Sequence, residues 1–112
     1  MTATATAVAT ADRSAVVITV CGEIDYYSGH RLSHLLTDAC TRLAPRIVVD
    51  LSEATFMDSD GLNMVLIAHH QAAMAGGWLR LAGAGERVLR ILQIVGVDTV
   101  IAVHPTVARA LA

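Results

Sequence analysis

The stretch Thr55-Phe56-Met57-Asp58-Ser59-Asp60-Gly61-Leu62 joins an apolar strand to an apolar helix. Upstream, residues 46–51 (Arg-Ile-Val-Val-Asp-Leu) are rich in β-branched side chains and read as a strand. Downstream, residues 62–75 are apolar nearly all round, the pattern of a helix that is deeply buried or used at an interface. The join therefore places one hydroxyl, two carboxylates and a glycine at a helix N-terminus. Free backbone N–H groups and the positive end of the helix dipole favour negative charge there. Ser59 has two readings. It caps the helix, with Asp58 bracing the loop, or it accepts a phosphate and makes the segment a switch.

Working outward, residues 15–21 (Ala-Val-Val-Ile-Thr-Val-Cys) read as a further strand, followed by Gly22-Glu23-Ile24-Asp25-Tyr26-Tyr27. Ser28 is placed to cap a helix whose apolar stripe is Leu32, Leu35, Leu36, Ala39, Cys40 and Leu43, and Pro45 ends that helix. Gly76-Gly77 terminates the helix over 62–75. On that helix Leu62, Val65, Leu66, His69 and Ala73 form one face, with Met64, Ile67, Ala68 and Met74 on the other side. Residues 78–82 read as a short strand, 86–95 as a helix with Gly96 just past its end, and 99–103 as a last strand. Pro105 then opens a final short helix at its first position. The alternating Thr/Ala run at 4–10 is either an edge strand or a flexible N-terminus. The order β-β-α-β-α-β-α-β-α predicts an α/β fold, a small mixed, mostly parallel sheet of four to five strands with about four helices. The first two strands would be the antiparallel pair. The whole of 1–112 is expected to be a single domain, with 1–13 the uncertain edge.

Composition narrows the function. The chain is 54% hydrophobic but only 4% aromatic, so its core must be aliphatic. Charged residues are 16%, below the ~25% usual for soluble domains, which favours an exposed apolar docking surface. A formal charge of −2 gives no electrostatic reason to bind nucleic acid or an anionic membrane. No apolar run approaches a membrane span, residues 1–11 lack the parts of a signal peptide, and a cytoplasmic location is expected. Cys21 and Cys40 are expected to be buried thiols, not a disulfide.

Gly22-Glu23-Ile24-Asp25 and Val48-Val49-Asp50-Leu51-Ser52, followed by Phe56-Met57-Asp58-Ser59-Asp60-Gly61-Leu62, in this order and spacing, resemble the STAS domain. Within it they resemble a free-standing bacterial anti-sigma factor antagonist, over roughly residues 15–111. The resemblance implies that Ser59 is phosphorylated by a partner, an anti-sigma factor with ATP-dependent serine kinase activity. It implies that the unphosphorylated form binds that partner and frees the sigma factor, and that a serine phosphatase resets the cycle. Asp58 and Asp25 match the acidic positions beside the acceptor, and Gly61 and Leu62 the start of the following helix. One departure is Asp60, where the family often has Ser or Thr.

The partner-binding residues expected on this basis are Glu23, Asp25, Tyr26, Tyr27, Met57, Asp58, Asp60, Gly61, Leu62 and Met64. Parallel strands deliver the loops after residues 21 and 51 to one edge of the sheet, which would bring Asp25 near Ser59. For one of the two tyrosines, Tyr26 or Tyr27, core packing is an equal reading. Asp58-x-Asp60-Gly61 begins like a calcium loop, but the twelfth position is His69 and not Glu. His69 and His70 point ~100° apart on a helix and do not form a metal pair. Met57–Gly61 is not a Gly-x-Ser-x-Gly elbow, and the eight cations are all arginines, so receiver and Walker chemistry lack their lysine. Neither cofactor nor metal nor enzyme activity is expected, and the chain would be a monomer or weak homodimer. The alternative function is a non-phosphorylated STAS scaffold with Ser59 as helix cap.

Overall fold

The protein is described from a computed structural model, which covers residues 6–12, 15–24 and 29–112. Among these residues five strands form one sheet in the order β1-β2-β3-β4-β5. β1 (Thr6–Asp12) and β2 (Ala15–Ile24) are antiparallel, and β2, β3 (Arg46–Met57), β4 (Trp78–Ala82) and β5 (Val103–His104) run parallel. The Thr/Ala run is thus an edge strand from Thr6 onward. Each parallel step is a crossover through a helix: α1 (His30–Cys40), α2 (Ser59–Met74) and α3 (Glu86–Ile94). The order of elements is the one the periodicity predicts.

Alternation along the strands divides the core in two. Val16, Ile18, Ile47, Val49, Leu79 and Leu81 point to the face covered by α1, α2 and α3, and all are nearly inaccessible. Val17, Val48 and Ala82 point to the other face and meet α4 (Val107–Leu111) through Ala110. There the Arg80 guanidinium lies 3.8 Å from the Trp78 ring centre and donates a 2.7 Å bond to the Ala110 carbonyl, tying α4 to the sheet.

Several boundaries differ from the sequence reading. α1 is capped at Gly29, with no side-chain hydrogen bond, and ends at Cys40; Ser28 lies outside the described residues. Leu43 is therefore not on the stripe. It sits in the turn after the helix, 96% exposed, beside Ala44 in the left-handed region (φ 49°). α2 starts at Ser59, three residues earlier than expected. Its inward face is Gly61, Leu62, Val65, Ala68 and Ala72, with His69 half-buried, and His70 and Ala73 exposed. Its end is a Schellman turn: Gly77 N–H bonds Ala72 O at 2.8 Å and Gly76 N–H bonds Ala73 O at 3.1 Å, with Gly76 at φ 81°.

The expected strand over 99–103 is instead a 3-10 turn, Val97–Thr99, followed by β5. The Thr99 hydroxyl donates to Gly96 O (2.6 Å), and the Val100 and Ile101 amides both donate to Val97 O. Those amides are satisfied locally, so strand pairing begins only at Leu81↔Val103. Thr106, not Pro105, opens the last helix, its side chain accepting from Arg109 N–H at 3.1 Å. Neither cysteine is in a disulfide, and both are half-buried. Cys21 donates to Glu53 Oε2 (3.2 Å) and Cys40 to Ala68 O (3.6 Å), and burial pushes the Cys40 thiol above its ordinary range.

Candidate functional site: the strand–helix join at Ser59

One residue, Asp58, separates the end of β3 from the start of α2. Its backbone is extended (φ −93°, ψ −174°), which breaks the strand direction and lets its side chain fold over the helix end. Three hydrogen bonds hold it. Its N–H donates to Ile24 O at 3.1 Å, its carbonyl accepts from Leu62 N–H at 3.0 Å, and its carboxylate accepts from Gly61 N–H at 3.0 Å. The last of these makes Asp58 the N-cap. The reading of Ser59 as cap with Asp58 as brace is thereby corrected. The physical reason is geometric: the cap must have extended backbone and reach the amide three residues on, and the residue meeting both conditions is Asp58.

Ser59 is the first helical residue, and both it and Asp60 are exposed. Neither side chain is needed to satisfy the helix end. Ser59 therefore presents a hydroxyl to solvent at the positive end of a 16-residue helix, with a half-buried carboxylate on one side and an exposed one on the other.

The turn is fixed against the neighbouring strand. Ile24 pairs in register with Met57, so β2 and β3 reach the same sheet edge together. A Cβ on Gly61 would stand 2.8 Å from Ile24 Cγ2 and 3.0 Å from Ile24 O, closer than side chains pack. Only glycine lets the first turn of α2 lie on the end of β2. Met57 and Leu62, also expected to meet a partner, are 1% and 7% exposed. Like the buried Gly61, they anchor the turn from within and offer no surface. Glu23 is exposed at the edge, in register with Phe56. Met64 is half-buried and lines a small groove between α1 and α2 with Ser33, Thr37, Ile67 and Gln71. Asp25, Tyr26 and Tyr27 lie outside the described residues.

Two exposed apolar residues were not singled out by sequence: Phe56, beside the join and 40% exposed, and Ile67, midway along α2 and 50% exposed. The signal for Phe56 was present. It precedes the inward Met57, so strand alternation turns it outward. For Ile67 the all-round apolar pattern of the helix hid which face was wet. Among the described residues no group of His, Cys, Asp and Glu side chains is placed to hold a metal ion, and no helix is long and apolar enough to cross a membrane.

A mixed sheet with three helices on one face, and a helix N-terminus presenting Asp-Ser-Asp-Gly at the strand edge, define the STAS architecture, and the STAS domain family model matches residues 6–110. The chain belongs to the STAS domain family, among the anti-sigma factor antagonists. It is 35% identical over 103 residues to the anti-sigma-F factor antagonist RsfA of Mycobacterium tuberculosis, covering 88% of this chain and 78% of that one. Its fold is similar to that of an anti-sigma factor antagonist from Mycobacterium paratuberculosis, with a TM-score of 0.88 and 24% identity over 99% of this chain and 96% of that one. It is also similar to Bacillus SpoIIAA, solved in an unphosphorylated form (TM-score 0.78, 21% identity, 95% of this chain and 93% of that one) and in a phosphorylated form (0.72, 20%, 95% and 96%).

Proposed function

We propose that this protein is an anti-sigma factor antagonist switched by phosphorylation of Ser59. In the bare state the acidic edge around Asp58 and Asp60, with the apolar Phe56 and Met64 beside it, binds an anti-sigma factor and releases the sigma factor. Phosphate on Ser59 adds about 1.5–2 negative charges to a surface already carrying two carboxylates, and the complex is rejected by like-charge repulsion and the cost of desolvating the phosphate. The kinase is the anti-sigma factor itself, using ATP, and a serine phosphatase reverses the reaction. The antagonist supplies an acceptor and a surface, with no turnover of its own.

One observation carries this reading. Asp58 caps α2, so among the described residues the exposed Ser59 hydroxyl is not needed to hold the helix end. That weakens the scaffold alternative, which needed Ser59 as the cap. The binding test uses a cognate anti-sigma factor with wild type, Ser59→Ala and Ser59→Glu. Wild type and Ser59→Ala bind alike, and Ser59→Glu binds at least about tenfold more weakly, a difference of ~1.4 kcal/mol. Equal binding by all three would refute the switch.

A further inference from the structure

Most of the large apolar side chains exposed among the described residues are not at the Ser59 edge. Leu43 (96% exposed), Met74 (77%), Ile94 (76%), Val95 (54%) and Val100 (57%) all lie at or just beyond the C-terminal ends of α1, α2 and α3. In this topology those ends gather where the parallel strands begin, the edge opposite Ser59. The turns there are in contact: Trp78 N–H bonds Pro45 O at 2.7 Å, and a Cβ on Gly77 would overlap the Pro45 backbone. Aliphatic residues concentrated on one end of a small domain mark an interface.

The charges beside this end are of both signs. Arg42, next to Leu43, and Asp98, between Val95 and Val100, are exposed, and neither forms an ion pair among the described residues. A partner surface of one sign would satisfy one of them and repel the other. A second copy turned about a two-fold axis supplies the opposite charge to each, Asp98 to Arg42 and Arg42 to Asp98, while closing the aliphatic side chains together.

We infer that this chain forms a two-fold homodimer through the end opposite Ser59, with the aliphatic turns at its centre and reciprocal Arg42–Asp98 pairs at its rim. Both Ser59 edges then stay free and face away from each other, so the dimer carries two independent switches. The inference does not depend on Ser59 being phosphorylated.

Sedimentation velocity of the full chain from about 1 μM to about 1 mM tests it. The dimer grows with concentration. Leu43→Glu and Ile94→Glu, both at exposed positions where folding is unaffected by circular dichroism, weaken it by about tenfold or more. Arg42→Asp and Asp98→Arg each weaken it, and the double variant restores association toward wild type, which a merely apolar, non-specific contact would not do. A monomer across the whole range overturns the inference. So does a dimer indifferent to Leu43→Glu and Ile94→Glu, or a double variant no better than the single ones.

Discussion

Replacing Asp58 with alanine removes a single carboxylate, and two consequences follow from the geometry. The Gly61 amide loses its 3.0 Å partner in a half-buried cap site, and the helix loses a negative charge at its positive end. Loss of an N-cap side chain costs about 0.5–2 kcal/mol, and the charge on the dipole adds about 0.3–1 kcal/mol. The two backbone bonds of Asp58, to Ile24 O and from Leu62 N–H, survive the substitution. The expected cost is therefore about 1–3 kcal/mol, which lowers Tm by roughly 4–13 °C for a chain of this size. Ser59→Ala removes an exposed hydroxyl at the first helical position and is expected within about 0.5 kcal/mol of wild type. Urea unfolding followed by circular dichroism, with the midpoint shift multiplied by a common slope, measures both. A Ser59→Ala variant that loses as much stability as Asp58→Ala, or more, refutes the assignment of the cap.

Gly61→Ala places a methyl against the Ile24 carbonyl, which belongs to a paired strand and cannot swing away; a net loss of about 1–2 kcal/mol in urea unfolding is expected even after the better helix propensity of alanine. Arg80→Ala removes both the Trp78 stack and the bond to Ala110 O, and hydrogen exchange in α4 is expected to accelerate while α2 amides stay protected. Burial raises the Cys40 thiol, so the folded state prefers its neutral form: that contribution to stability is complete below the unfolded thiol range and is lost as pH rises through the folded value. Alkylation at neutral pH is accordingly slower at Cys40 in the folded protein than in the urea-unfolded chain.

The alternation of β-branched strands with amphipathic stripes was enough to order every element, because each helix must bury one face on the sheet. What sequence did not resolve was where local hydrogen bonding outbids a pattern. The apolar run after Gly96 reads as a strand, yet a left-handed glycine (φ 79°) and the Thr99 hydroxyl turn it into a 3-10 turn. Leu43 continues a perfect stripe, yet α1 has already ended at Cys40, where Thr41 folds its hydroxyl back onto Asp38 O at 2.6 Å. At the site the residue types and spacing were legible, but the division of labour was not. Asp and Ser are both good caps, and choosing between adjacent candidates requires the backbone angle at Asp58. The motif alone places Met57, Gly61 and Leu62 with the partner surface, because it does not distinguish residues that touch a partner from residues that hold the turn.

Whether Ser59 accepts phosphate decides whether this protein is a switch. Site-mapped intact-mass analysis of the protein incubated with ATP, magnesium and the anti-sigma kinases of its own genome answers this directly. One added phosphate, on Ser59 and absent from Ser59→Ala, is the predicted result. A folded protein that remains unmodified with every such kinase, or that is modified elsewhere, contradicts it.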